Sequence, residues 1–147
     1  MPRSHTHEES FAATPERLFD LLITPSLVRQ WWGASQVIVH AEAGGFWVAT
    51  WGDEDAPDYV SAYDIAAIER PRRLVLVNSR YHARHDGPLP FDADFRVTFE
   101  VIPDGGQTRL RVTQDGFPDE RDADEFLIAC ETGWTETFKG IRRVIGG

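Results

Sequence analysis

The apolar residues of this chain change their spacing twice, and that pattern limits the fold more than any single motif does. From Thr14 to Trp32 they recur three and four residues apart. From Ser35 to Gly116 they recur every second residue, and from Asp119 to Val144 the spacing of four returns. A helix repeats every 3.6 residues and a strand every two, so the order predicted is two short helices, a run of strands and a long closing helix. A further strand is expected before the helices, from about His5 to Ala12, with the mixed polarity of a sheet edge.

Local chemistry places the boundaries. Thr14 stands where an N-cap belongs, with Pro15 at the first helical position and Leu18, Phe19, Leu22 and Ile23 on one face. Pro25 divides the first helix from the second, and Gly33 stops the second after Trp31 and Trp32. Strands are predicted near Ser35–His40, Gly45–Trp51, Tyr59–Glu69, Arg73–Arg80, Phe91–Pro103 and Gln107–Gly116, with turn signals between them. In "FRVTFEV", Phe95, Val97, Phe99 and Val101 share one face, which is the alternation of an antiparallel strand packed on one side. Asp104-Gly105-Gly106 then marks a hairpin. In the last segment Phe126, Cys130, Trp134, Phe138 and Ile141 form a stripe, with acidic residues near its start and Lys139, Arg142 and Arg143 near its end. The expected architecture is α+β: a curved antiparallel sheet of six or seven strands that buries its apolar face against the C-terminal helix.

All 147 residues are read as one domain. The formal charge of −9 argues against nucleic acid as partner, because phosphate binding needs clustered cations. Cys130 is the sole cysteine, so no internal disulfide is expected and a reducing interior is compatible. The N-terminal "MPRSHTHEESF" lacks a signal-peptide core, and no run reaches the ~20 apolar residues of a membrane span. The chain is therefore expected to be cytoplasmic, without a membrane partner.

The pieces "FAATPERLFDLLITP", "WWG", "AGGFW", "IERPRRLVL", "GGQTRLRVTQDGF" and Gly133-Trp134 occur in an order that resembles the START-like, or SRPBCC, superfamily. More narrowly they resemble bacterial proteins similar to the C-terminal domain of the heat-shock-protein-90 ATPase activator. The resemblance covers nearly the whole chain. It implies the helix-grip fold, with a deep and mainly apolar cavity between sheet and long helix. It also implies a choice of roles, since superfamily members bind lipids, sterols, hormones or polyketides, and a minority cyclise or hydrate them. The other domain of the eukaryotic activators is expected to be lacking here.

Adjacent helical residues point about 100° apart, so Trp31 and Trp32 cannot face the same partner. One indole is expected to anchor the short helix in the core while Trp32 reaches the cavity or its rim. Trp47 and Trp51 flank Ala49 on one strand face; they could wall the cavity, cover the outer sheet or form a dimer contact. Cys130 and Trp134 lie on adjacent turns of the helix stripe, with Gly133 either admitting a close approach or leaving space. Tyr63, Asn78 and Tyr81 are the polar groups expected beside a ligand. Asp64, Glu131 and Glu136 are further carboxylates that enclosure by aromatics would make into acids or bases. No pair at a defined spacing identifies a catalytic dyad. His5 with His7, and His82 with His85, each supply two donors where a tight metal site needs three or four, so neither a metal nor a cofactor is expected.

The main expectation is thus binding of a small hydrophobic molecule, aromatic or polycyclic, by Trp32, Trp47, Trp51, Tyr63, Asn78, Tyr81, Cys130 and Trp134. Two alternatives stand beside it. One is a cyclase- or hydratase-like enzyme on a hydrophobic substrate, which requires a buried Asp, Glu, His or Tyr with a shifted pKa and a hydrogen-bonding partner. The other is a chaperone-associated interaction module, which requires an exposed apolar patch on the sheet and little internal cavity. A homodimer is compatible with all three.

Overall fold

A computed structural model describes residues 3–85 and 94–146. Along the chain run β1 (Arg3–Phe11), α1 (Pro15–Ile23), α2 (Pro25–Trp32), β2 (Gln36–Val39), β3 (Phe46–Gly52), β4 (Pro57–Glu69), β5 (Arg73–Ala83), β6 (Arg96–Asp104), β7 (Gln107–Phe117) and α3 (Asp124–Ile145). The seven strands form one antiparallel sheet in the order β1-β7-β6-β5-β4-β3-β2. The fold is α+β and helix-grip-like, with β1 and β2 at the two sheet edges. Phe91, expected to open the sixth strand, and most of the turn before it lie outside the described residues.

The caps work as their chemistry requires. Thr14 Oγ1 accepts the Arg17 backbone N–H at 3.2 Å, and Pro15 follows at the start of α1. Gly33 ends α2 in the left-handed conformation, its N–H returning to the Arg29 carbonyl. Gly105 and Gly106 both take positive φ and close β6 onto β7 in a two-residue turn, with Asp104 opposite Gln107.

One side of the sheet carries the core. Phe11, Leu74, Leu76, Val97, Phe99, Val101, Leu110 and Val112 face inward and are buried. Leu18, Phe19 and Leu22 of α1 and Phe138, Ile141 and Ile145 of α3 close over them. Alternation along β7 buries Thr108, Leu110, Val112 and Gln114 in turn, so two polar side chains lie on the apolar face, Thr108 donating to the Ala13 carbonyl at 2.6 Å.

Two local expectations are corrected. The last helix begins at Asp124, behind a 3₁₀ turn at Arg121–Ala123, and not at Asp119. Arg3 holds this turn, its guanidinium donating to the carbonyls of Pro118 (2.7 Å) and Glu120 (3.2 Å) and to the Asp124 carboxylate (2.8 Å). The Glu120 carbonyl also accepts the Ala123 N–H at 3.1 Å, the bond that closes the 3₁₀ turn. Further along, β5 does not keep one alternation. A register shift opposite Ala62 and Asp64 is absorbed at Asn78, which takes φ 53°. Beyond it Ser79 and Tyr81 face inward, and Asn78 points out, donating to Asp64 Oδ2 at 2.9 Å.

Candidate functional site

Five indoles meet where α2 crosses the sheet, with Trp32 at their centre. Its ring lies 5.5 Å from Trp31, 5.3 Å from Trp47, 4.8 Å from Trp51 and 6.5 Å from Trp134. Trp31 is buried and donates to the Leu21 carbonyl at 2.7 Å, which anchors α2 to α1. Trp47, also buried, donates to the Leu22 carbonyl at 2.9 Å. Trp51 donates to the Trp32 carbonyl at 3.3 Å, and Trp134 to Gln114 Oε1 at 2.8 Å. Trp32 itself is half-buried.

This cluster fills the interior that the family resemblance implied would be hollow. Trp31, Trp32, Trp47, Tyr63, Leu76, Val97, Phe99 and Trp134 leave only about 10 Å³ among them, too little for more than one water. The deep enclosed cavity is therefore replaced by an open groove of about 370 Å³ next to it, under the first half of α3. That volume is in the ordinary range for a small-molecule site.

Side-chain volume explains why the groove lies there. Phe126 props the start of α3 on Phe95 and Phe117, with ring separations of 5.5 and 6.1 Å. From Trp134 onward Thr137, Phe138, Gly140, Ile141 and Ile145 are buried against the rest of the molecule. Between these two supports the residues turned toward the sheet are Ala129, Cys130 and Gly133, all small, and all three line the groove. A Cβ added at Gly133 would meet nothing within 4 Å, so this glycine leaves space and does not admit a close approach.

The floor is polar but uncharged. Ser61 and Tyr63 come from β4, Tyr81 from β5 and Gln114 from β7. The hydroxyls of Ser61 and Ser79 stand beside that of Tyr63, and burial pushes the Tyr63 phenol above its ordinary pKa against their effect. Burial likewise pushes the Cys130 thiol up to about 11, opposed by the Gln114 amide and reinforced by the Glu131 charge. At neutral pH both groups are protonated, and Cys130 behaves as a small apolar residue with a weak donor.

Of the eight residues expected at a ligand site, Trp32, Tyr63, Tyr81, Cys130 and Trp134 line the groove. Trp47 and Trp51 stand behind Trp32 and support it. Asn78 faces away for the reason given above, together with Asp64, which also pairs with Arg80 at 3.0 Å. Glu131 and Glu136 are exposed and face His5 (3.8 Å) and Lys139 (3.0 Å). His7 bonds Glu9 at 2.7 Å and its ring meets Phe138 edge-on, while His85 faces Asp58. Among the described residues no three His, Cys, Asp or Glu side chains converge as metal ligands. Ser61, Gln114, Phe126 and Thr137 are groove residues that sequence reasoning passed over. Gln114 had a signal: it occupies the inward phase of the "TRLRVTQ" alternation, where a polar side chain needs a reason.

A larger depression of about 580 Å³ lies at the opposite end of the sheet, but Glu16, Glu69, Arg72, Arg73 and Glu100 edge it and no aromatic ring does. Among the described residues no helix is long and apolar enough to cross a membrane.

Comparison with known proteins agrees with this architecture. Protein MLL2253 from Mesorhizobium loti is 22% identical, with 98% of this chain and 97% of that chain aligned at a TM-score of 0.78. PFC0360w, an HSP90 activator from Plasmodium falciparum, is 20% identical over 97% of this chain and 96% of its own, with a TM-score of 0.71. The Aha1 dimer from Colwellia psychrerythraea is 14% identical over 97% and 96%, also at 0.71. No curated protein matches the chain. Residues 12–146 match the family described as activator of Hsp90 ATPase homolog 1-like protein, and the chain belongs to that family.

Proposed function

We propose that this protein is a cytoplasmic binder of a small hydrophobic molecule, held in the groove between the first half of α3 and the sheet. The observation that carries this reading is the gap itself: a helix supported at Phe126 and again from Trp134 onward, with Ala129, Cys130 and Gly133 between. Apolar surface removed from water supplies the affinity, at about 25 cal/mol per Å² before the costs of association. The aromatic walls, Trp32, Tyr81, Phe126 and Trp134, suit a flat ring system.

Tyr63 meets the condition set for an enzyme in being buried, shifted and partnered, but its shift is upward, which keeps it protonated, a hydrogen-bond donor and a weaker acid than a free phenol. No carboxylate or imidazole lines the groove among the described residues to act as base. Binding is the better supported reading. Its test is titration with Nile red, an uncharged dye, following dye emission and tryptophan quenching together. The dye is expected to bind, and Gly133→Leu, which fills the groove, is expected to weaken binding more than tenfold. Equal binding by Gly133→Leu would remove the groove as the site.

A second reading rests on family membership and on one surface. Ile38 and Phe46 are 59% and 41% exposed on the outer side of edge strand β2 and its neighbour β3, with His40 stacked on Phe46 at 5.9 Å. In this reading that patch docks on an Hsp90-type chaperone, or pairs two copies of the chain. Light scattering and chaperone ATPase assays, with Ile38→Glu as the variant, test it. A monomer that leaves the ATPase unchanged rules it out.

A further inference from the structure

We infer that the groove selects an uncharged aromatic compound bearing a carbonyl-type oxygen, received by the Gln114 amide and the Tyr63 hydroxyl as donors. This rests on the small-molecule reading above and narrows it to a chemical class.

Charge comes first. Every described side chain lining the groove is neutral. The nearest carboxylate along α3, Glu131, is exposed and faces His5 outside it. A bound carboxylate would give up its hydration with no cation to meet it, and a bound ammonium would find no anion. Cys130 reports on the same environment. Its thiol resists ionising until about pH 11, through burial and through the Glu131 charge, so a negative charge is disfavoured at this spot.

The polarity of the hydrogen-bonding groups is fixed as well. An indole N–H only donates, so the Gln114 atom that Trp134 meets at 2.8 Å is the amide oxygen. The amide NH₂ is left on the side of Cys130 and the groove. Gln114 is buried, and turning the amide over would set NH₂ against N–H. Tyr63, kept protonated by burial, adds an O–H on the neighbouring side of the floor. Both are donors, and a ligand oxygen with lone pairs completes them. A pure hydrocarbon leaves them only the Ser61 and Ser79 hydroxyls and the Cys130 sulfur already beside them, forgoing the bonds a carbonyl oxygen adds, which costs affinity. Trp32 and Trp134 add nearly parallel ring planes, 18° apart, beside this floor.

Three naphthalenes of matched size separate the possibilities on the unaltered protein at pH 7.5: 2-acetylnaphthalene, 2-ethylnaphthalene and 2-naphthoate. The ketone is expected to bind tightest, the hydrocarbon roughly three- to tenfold more weakly, as the loss of neutral hydrogen bonds implies. The naphthoate is expected to be weaker than the ketone by more than tenfold. In ¹⁵N spectra the Gln114 side-chain NH₂ signals should move on adding the ketone and stay with the hydrocarbon. Tyr63→Phe should lower ketone affinity toward that of the hydrocarbon without weakening the hydrocarbon, which has no acceptor for the lost O–H. Naphthoate binding as tightly as the ketone would overturn the neutral class. Equal affinity for ketone and hydrocarbon, or an unmoved Gln114 signal, would overturn the donor assignment while the groove remains a binding site. If none of the three binds, the small-molecule reading itself fails.

Discussion

Gly140 lies where α3 crosses the end of α2, and a methyl group placed there decides whether that contact sets the groove. An ideal Cβ at Gly140 would sit 2.2 Å from the Trp31 carbonyl oxygen and 3.1 Å from its carbon. Favourable carbon contacts lie at about 3.5–4.0 Å, so the helix must retreat by roughly 1 Å or more. The obstacle is backbone, and no side-chain rotation relieves it. Phe138 and Ile141, both fully buried, flank the position and lose packing in any retreat. Overpacking costs about 1–3 kcal/mol, and against rigid backbone the upper part of that range applies, about 2–3 kcal/mol, while Ala regains about 1 kcal/mol over Gly in a helix interior. Gly140→Ala is therefore expected to destabilise by about 1–2 kcal/mol, lowering Tm by roughly 5 °C. Gly133→Ala, two turns earlier in the same helix, meets nothing within 4 Å and should gain up to about 1 kcal/mol. Urea denaturation of both variants, with emission from the Trp32–Trp134 contact as a second readout, makes the measurement. Midpoints that move in the same direction, or a Gly140→Ala midpoint at or above the parent's, would refute the close-contact account and the support it gives to the groove's geometry.

Two further outcomes follow from charge and burial. Cys130 titrates near 11 when folded and at an ordinary 9.0 when unfolded. Alkylation by iodoacetamide at pH 8 should be roughly 100-fold slower in the native protein than in urea. The unfolded chain releases that proton first, so this group lowers stability as pH rises from about 9 to about 11 and leaves it unchanged below. Arg142 joins α3 to β1 through Glu9 Oε1 at 2.7 Å and lies 4.5 Å from the centre of the Phe11 ring. Burial raises the Glu9 carboxyl, but His7 and Arg142 outweigh it and hold it below the ordinary 4.5. Arg142→Met should cost about 1 kcal/mol or less at pH 7, because the pair is partly exposed. The Glu9 share of that cost is present above pH 4.5 and disappears as pH falls through the native value. A Glu9 contribution constant down to pH 3 would rule out its ion pair.

What could be read from the sequence was whatever depends on covalent periodicity. The order of elements, the inward face of β6 and β7, the caps at Thr14 and Gly33 and the divergence of Trp31 from Trp32 follow from spacings that no tertiary contact changes. What could not be read depends on residues far apart. Arg3 holds the turn before α3 from 121 positions away in sequence, and a bulge in β5 decides that Asn78 faces solvent. The groove belongs to a third kind, visible in the sequence but only to a different question. Phe126, Cys130, Trp134, Phe138 and Ile141 form one continuous stripe when each residue is scored as apolar or polar. Scored by volume, the same stretch reads large at Phe126, small at Ala129, Cys130 and Gly133, and large again from Trp134. A helix propped on large residues at both ends of a small-residue interval leaves a gap of that length, whatever the sheet beneath it does. Gln114 then gives the gap its polarity, since a polar residue in the buried phase of a strand must be paired on one side and is left to act on the other. Volume along a helix stripe and polarity in a strand's buried phase are both local properties of sequence, and here their meeting point is the groove.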